Sequence, residues 1–525
     1  MKTPRPTSRS RQLLAPATSR RAAGKRRRGR SGVSFRTAGV LVLTLALVST
    51  AAFRAARAQP PASSAGVASA QAPAGHRPLT RAVEGLVRWA EQRGGRALVA
   101  VLDVRTGREL AAKDADVAAN PASNAKIFTA AAALAELGPG YRYTTELHGR
   151  LRDGAVTDLV LRGHGDPSLT LADLSSMCRS LVAMGLRRVE GRILVDQSRF
   201  DGEFLPPAFA QQPNEWAAFR APVSAVALER NTVTMNVLPG DPGQPARVWF
   251  HPPGFVAING TVQTRDAGAG QAVRLSLTPD QGRLRAEIGG QLAAGLPRLR
   301  FTRRVDDPRL FPGYVVAHLL ESMGVSVKRG VASGGAKVNS RLVWHRSEPL
   351  ARLLDELGKR SDNFYAEMIL KTLGGERNGK PASSAAGASV VLAWLKRVGA
   401  ADAGTVVLNG SGLFDANRAS PRTLARALAV VWKDPALRPE FVSQLAVGGV
   451  DGTLKSRFRR HAASRRVRGK TGTLALVDAL SGYVLGKSDA TPVAFAIIVT
   501  GIAQHWQVRR EIDRVVEEIA RLPAG

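Results

Sequence analysis

Leu79, Val83, Leu86, Val87 and Trp89 recur at helical spacing, which predicts an amphipathic helix over Leu79–Arg93. The next run, Ala97–Val104, is almost wholly apolar, as a strand buried on both faces should be. Arg105-Thr-Gly-Arg108 turns it into a partner strand over Glu109–Ala112. Pro121–Leu134 follows, an Ala-rich run with Pro121, Ser123 and Asn124 as start signals. Its high helix propensity and small side chains predict a helix lying deep in a core.

From about Leu137 the pattern shortens into β-like runs at Tyr143–Leu147, Asp158–Arg162, Gly191–Asp196 and Asn231–Val237, then Ala246–Phe250, Val273–Leu277 and Arg283–Ile288. Helical signal in this block is confined to Thr170–Met184 and Pro308–Met323. Helical periodicity returns at Leu350–Leu373, Ser389–Val398 and Ser420–Val431. Strands are expected at Leu474–Leu485 and Val493–Val499, with a closing helix over Val508–Leu522. The 525 residues exceed what one hydrophobic core supports. The expected organisation is therefore an α/β domain built from 79–136 and 340–525, split by one or two inserted β-rich domains over 137–339.

Composition changes the picture mainly at the N-terminus. With 44% hydrophobic and 22% charged residues the chain is globular in character. The formal charge of +33 invites a nucleic-acid or membrane-surface reading. The first 58 residues, however, hold 14 Lys/Arg and no acid, and removing those 14 leaves +19. An apolar stretch over Ala38–Phe53 and a small-x-small site at Ala56-Arg57-Ala58 complete a secretory signal over 1–58, so the protein is expected to be exported. At 16 residues the stretch is short of the ~20 that span a bilayer, and both a cleaved signal and a retained membrane anchor stay open. Residues 59–78, rich in Ala, Ser, Pro and Gly, read as a flexible linker.

Cys178 is the single cysteine, so no intramolecular disulfide is possible, and it reads as a small buried apolar residue. The eight histidines show no H-E-x-x-H or paired spacing to support a zinc site, and glycine-rich phosphate loops are absent. A nucleic-acid partner has little support once the signal region's charge is set apart.

Three stretches carry candidate chemistry. Ser123 and Lys126 lie three apart on one helical face, so a desolvated lysine amine could take the serine's proton. Ser361-Asp-Asn363 offers a hydroxyl for proton relay and an amide with one acceptor and two donors for a peptide bond. In Arg468-Gly-Lys-Thr-Gly-Thr473, the Lys470 ammonium with the Thr471 and Thr473 hydroxyls suits a carboxylate. Gly472 would let a substrate lie against the strand backbone. Each motif alone is also a common helix cap, turn or strand entry, whereas the ordered set of three is far less common by accident.

That ordered set resembles the signatures of the penicillin-recognising serine acyl-transferases. From Leu79 onward the chain is more closely similar to the D-alanyl-D-alanine carboxypeptidase/endopeptidase family of the penicillin-binding protein 4 type (peptidase S13). Pro121-Ala-Ser-Asn-Ala-Lys126, Gly165-Asp-Pro-Ser-Leu169, Val195-Asp-Gln-Ser-Arg-Phe200, Asn409-Gly-Ser-Gly-Leu413 and Asp451-Gly-Thr-Leu454 carry the likeness. The 238 residues between Ser123 and Ser361 exceed what a compact β-lactamase holds there, and in this family such an insertion forms extra domains.

The resemblance implies a serine β-lactamase/transpeptidase-like α/β (α+β) domain in the periplasm or cell envelope. It implies that Ser123 attacks a terminal D-Ala-D-Ala bond of peptidoglycan stem peptides, that Lys126 is the base, and that Ser361 links the proton path. Asn363 joins these as a catalytic residue. The Ser123 and Thr473 N–H groups would form the oxyanion hole, and Lys470 and Thr471 would hold the terminal carboxylate. β-Lactams would be covalent inhibitors, and no metal or organic cofactor is implied. Asp196 matches an acidic position that in relatives faces the diamino-acid side chain of the stem; a strand-end turn residue is the alternative reading. Asn409 stands where an acid is expected, and Val499-Thr-Gly501 where Asn is common. A second Pro-Ala-Ser, at 381–383, has Ala386 where the lysine would have to be. A β-lactamase and a non-catalytic wall-binding protein of the same fold are the competing readings.

Overall fold

The computed structural model describes residues 76–213, 215–336, 340–486 and 491–523. The expected signal over 1–58 and residues 59–75 of the expected linker 59–78 lie outside the described residues; its last two residues, Arg77 and Pro78, instead open the first helix, where proline suits the first turn. The chain enters with a helix, α1 (Arg77–Glu91), and a strand, β1 (Arg96–Asp103), which is hydrogen-bonded along both edges. Its alternate residues go to opposite faces: Leu98, Ala100 and Leu102 join one apolar cluster, and Ala97, Val99 and Val101 another. A strand covered on both sides has no polar face, which is why this run is continuously apolar.

The remaining strands of the sheet are β2 (Glu109–Lys113), β3 (Ala446–Val447), β4 (Val467–Leu474), β5 (Val477–Val484) and β6 (Val493–Thr500), in the order β3-β4-β5-β6-β1-β2, all antiparallel. One long strand expected at Leu474–Leu485 is thus the second arm of a hairpin that already begins at Val467. The face of Val99, Leu480 and Ile497 is covered by α1, through Leu79, Val83 and Leu86, and by the closing helix α7 (His505–Arg521). On the other face lies α2 (Ala125–Leu137), whose Ala130–Ala133 are fully buried. With it pack α3 (Leu350–Gly358), α4 (Asn363–Arg377), α5 (Ser384–Arg397) and α6 (Pro421–Lys433).

The continuous helical pattern over Leu350–Leu373 is two helices. Gly358 ends α3 against Gln444, whose Oε1 would lie 1.8 Å from a Cβ there. Asp362 then restarts the chain as N-cap of α4, accepting the Tyr365 N–H at 3.1 Å. The Pro-Ala-Ser at 381–383 has the same ordinary use: Ser383 caps α5 by accepting the Ala386 N–H at 3.0 Å.

Residues 144–346 carry a separate apolar cluster, running from Leu147 to Val325 with Leu342 and Val343 packed on it. A five-stranded mixed sheet orders Val331–Ser333, Ile193–Asp196, Leu159–Gly163, Thr144–His148 and Arg341–Arg346. Helices Leu171–Ala183 and Phe311–Ser322 contribute to the same cluster, the first opened by a Thr170/Asp173 capping box. Further strands form two three-stranded sheets and a four-stranded sheet. Cys178 is buried here, and burial pushes its thiol up to about 12. Within 200–227, Phe200, Ala221, Val223, Ala225 and Ala227 pack into the cluster around α2 and α4, while Val226 stays in this one. Asp201 there pairs with the buried Lys371 of α4.

Candidate active site

The Ser123 turn is set by its neighbours. Ala122–Asn124 form one 3-10 turn before α2, and Ala122 is held at φ 47°, a left-handed conformation that costs an alanine about 1–3 kcal/mol. Asn120 pins it, accepting the Ala122 N–H at 2.9 Å while its own amide donates to the Phe414 carbonyl at 2.9 Å. From one turn further on, Lys126 Nζ donates to Ser123 Oγ at 3.0 Å, to Asn363 Oδ1 at 2.7 Å and to the Ser411 carbonyl at 2.7 Å. Lys126 is fully buried, and desolvation lowers its pKa to about 7 against the opposing pull of Glu367 and Asp362. In its neutral form the amine keeps two N–H for Asn363 and the Ser411 carbonyl and turns its lone pair to the Ser123 hydroxyl, a competent base near neutrality.

A second serine–lysine pair stands beside the first. Ser361, in the loop between α3 and α4, is also at positive φ (60°), and its Oγ accepts Lys470 Nζ at 2.7 Å. Lys470 comes from β4 and donates in addition to the Thr471 carbonyl at 2.8 Å. It is buried; desolvation, with the Lys126 charge adding to it, holds its ammonium pKa well below the usual lysine range. Asn363 begins α4 and bridges outward, its Nδ2 donating to the Phe219 carbonyl at 3.1 Å. The five residues of the Ser-x-x-Lys, Ser-x-Asn and Lys-Thr-Gly motifs are thus brought together through Lys126 and Lys470.

β3 pairs with β4 only at Arg468 and Gly469, so Lys470–Leu474 present an unpaired edge. Gly472 has a different reason from the one its sequence suggests. A Cβ there would lie 3.0 Å from Ala122 Cβ, 3.0 Å from the Pro121 carbonyl oxygen and 3.2 Å from Ser123 N. Its missing side chain makes room for the Ser123 turn, bringing β4 against the nucleophile candidate. The Thr471 hydroxyl meets the Thr453 hydroxyl at 2.8 Å. The Thr473 hydroxyl receives Arg509 Nη2 at 3.0 Å, and Arg509 Nε also bonds Asp478 Oδ1 at 3.0 Å.

Asp196 makes its hydrogen bonds outside this cluster. Its carboxylate is taken up by Arg162 Nε at 2.8 Å and by the Ser198 N–H and hydroxyl at 3.0 and 2.6 Å. None of those bonds reaches the five motif residues, and the arrangement is that of a strand-end residue closing its own turn.

Glu367 is the residue that motif reading missed. Fully buried on α4, one turn after Asn363, it accepts the Gly410 and Ser411 N–H groups at 3.0 and 2.8 Å, and burial raises its carboxyl pKa. It supplies an acid to the Gly410-Ser-Gly loop, where the preceding position is Asn409. Asn409 instead ties that loop to itself, accepting the Gly412 N–H at 2.9 Å and donating to the Leu413 and Pro207 carbonyls at 3.1 Å each. The available signal was Glu367 standing four residues after Asn363, on the same helical face.

Known proteins carry the same framework. The model of the family described as "D-Ala-D-Ala carboxypeptidase 3 (S13) family" matches residues 82–521. A D-alanyl-D-alanine carboxypeptidase of Actinomadura sp. strain R39 is 34% identical over 422 residues, covering 77% of each chain. The crystal structure of penicillin binding protein 4 from Haemophilus influenzae superposes with a TM-score of 0.69 at 22% identity, covering 84% of this chain and 98% of that one. The structure of that protein complexed with a β-lactam gives a TM-score of 0.65 over 83% and 98%. At this identity the two structures speak to the fold, which is the expected α/β serine-hydrolase fold.

Proposed function

Because the chain belongs to the D-Ala-D-Ala carboxypeptidase 3 (S13) family, and so is a serine-type peptidase, we propose that Ser123 is its nucleophile and Lys126 the base that activates it. The observation that carries this reading is the buried Lys126 amine, with a pKa near 7, bonded at 3.0 Å to Ser123 Oγ.

Lys126 takes the Ser123 proton as Oγ bonds the carbonyl carbon of the terminal D-Ala-D-Ala amide. The N–H groups of Ser123 and Thr473 hold the developing oxyanion, a contribution on the order of 3 kcal/mol. As the C–N bond breaks, the proton taken by Lys126 passes by way of the Ser361 hydroxyl, itself bonded by Lys470, to the leaving D-alanine amine, which leaves Lys126 neutral again. Water then attacks the Ser123 ester, giving a proton to Lys126, which returns it to Ser123 Oγ as the ester C–O bond breaks and the shortened stem peptide leaves. Thr471 and Thr473 hydroxyls, backed by the Lys470 and Arg509 charges, hold the leaving carboxylate; Asn363 fixes the Lys126 amine and offers its amide to the acyl chain. The unpaired edge Lys470–Leu474 suits a peptide added as an extra strand.

The same nucleophile opens a β-lactam ring and retains it as an ester, so penicillin inhibits. Endopeptidase action on cross-links is part of the proposal, supported by the way the site continues beyond Thr473. The +19 charge outside the first 58 residues suits an exported, envelope-associated protein among anionic polymers. No helix among the described residues is long and apolar enough to cross a membrane. Residues 137–339 are read as insertion and 79–136 with 340–525 as the catalytic domain; the separate apolar cluster from Leu147 to Val325 supports the division.

The test is release of D-alanine from an acyl-D-Ala-D-Ala peptide by the purified chain and by Ser123→Ala. Release by the wild type alone is expected. Release by both, or by neither under conditions where a control carboxypeptidase is active, would overturn the reading.

A further inference from the structure

The carboxylate end of the site opens into a groove that removal of a single D-alanine does not use. It has a volume of ≈ 1160 Å³, begins at Thr471, Gly472 and Thr473, and runs between the 453–461 segment and α7; neither Ser123 nor Lys126 lines it. Seven arginines line it against four acids. Four of the seven are ion-paired: Arg457 with Asp513, Arg509 with Asp478, Arg514 with Glu511 and Arg521 with Glu518. Arg459, Arg460 and Arg510 are exposed and make no ion pair among the described residues. Trp506, 61% exposed, stands at the same groove with the Arg510 guanidinium 5.7 Å from its ring centroid.

A basic surface is often just a solvated face. This one is concave, offers a flat aromatic together with three guanidinium groups that have no carboxylate partner among the described residues (Arg459 Nε donates to the Lys455 carbonyl at 3.0 Å), and is continuous with the catalytic strand through the Arg509–Thr473 bond. Direction then decides its use. The acyl part of the substrate stays on Ser123, while the leaving residue carries the carboxylate held at Thr471 and Thr473. Whatever is attached to the leaving residue must extend past Thr473, away from Ser123, and that is where the groove runs.

We propose that this groove is a leaving-side subsite for a peptide arm bearing free carboxylates, attached to the residue whose amine departs. The inference rests on the assignment of Ser123 above and deepens it: a cross-linked substrate has such an arm and a terminal D-Ala-D-Ala stem does not. The reaction is the same hydrolysis, with the C–N bond broken through the Ser123 ester and the proton delivered to the departing amine. The arm adds affinity through charge-assisted contacts to Arg459, Arg460 and Arg510.

Two substrates with one common acyl part test it. In one the leaving residue is D-alanine; in the other it is a D-amino acid whose side chain carries a glutamate-containing peptide. With each exposed contact contributing a factor of a few, the triple variant R459A/R460A/R510A should lose on the order of tenfold in kcat/KM on the armed substrate and stay within about twofold on the bare one. Arg510→Ala alone should show a smaller loss of the same kind, and the advantage of the arm should fade with added salt and on amidation of its carboxylates. Equal loss on both substrates, no loss on the armed one, or an undiminished advantage for the amidated arm would overturn the proposal. So would a triple variant that loses inorganic polyphosphate binding yet cleaves the armed peptide at the wild-type rate, which would give the groove to a phosphate polymer. Failure of the wild type on the bare substrate would remove the assignment of Ser123 itself; normal cleavage there with no effect of the arginines removes only the subsite.

Discussion

Glu367 accepts the backbone N–H of Ser411 at 2.8 Å, and the carbonyl of the same Ser411 accepts Lys126 Nζ at 2.7 Å. One peptide segment thus connects a buried acid to the buried base, and the acid's charge also raises the pKa of that base against the effect of burial.

Glu367→Gln replaces one acceptor oxygen with an amide that faces an N–H donor. With the Gly410 and Ser411 donors no longer both satisfied, the variant should lose about 1–3 kcal/mol of stability, read as a lower unfolding midpoint. Loss of the negative charge should also move the acidic limb of its acylation rate to lower pH, because Glu367 raises the Lys126 pKa. A limb that moves to higher pH would contradict the electrostatic role.

Lys126 must be neutral to accept a proton, and its pKa is lowered to about 7. Protonation below that value removes the base. Acylation by a chromogenic β-lactam, followed from pH 5 to 9, should therefore rise through a midpoint near 7 and level off above it. A flat profile across this range would mean that another group activates Ser123.

Gly472→Ala should act on the Ser123 turn. A methyl at 3.0 Å from Ala122 Cβ and the Pro121 carbonyl forces β4 and the turn apart by a few tenths of an ångström. A small displacement of the reacting hydroxyl is expensive, so the acylation rate should fall on the order of a hundredfold, with only a modest change in unfolding midpoint. Wild-type acylation in this variant would show that the close approach is dispensable.

Much of this was legible in the sequence because it depends on residue type at short spacing. Ser123 and Lys126 meet because they are one helical turn apart. The all-apolar run of β1 announces a strand buried on both faces, and the helical signal over Thr170–Met184 matches the helix Leu171–Ala183. What was not legible depends on contacts between distant segments. Glu367 reaches a loop 43 and 44 residues away, Arg509 reaches Thr473 across 36 residues, and Phe219 meets Asn363 across 144. The break between α3 and α4 was hidden because Leu350–Leu373 keeps helical periodicity on both sides of it. The cause lies in Gly358 packing on Gln444 and in the cap at Asp362. A glycine at 472 suggests space for a substrate, but that space is filled by the Ser123 turn. Asp196 fits a family position by sequence, yet its carboxylate is spent on Arg162 and Ser198.

The measurement that bears most directly on Ser123 as nucleophile is mass spectrometry of the intact protein and its peptides after incubation with penicillin. One penicilloyl group per chain is expected, on the peptide containing Ser123, with no adduct on Ser123→Ala. An adduct mapped to another residue, or an unmodified wild type where a control penicillin-binding protein is fully labelled, would contradict it.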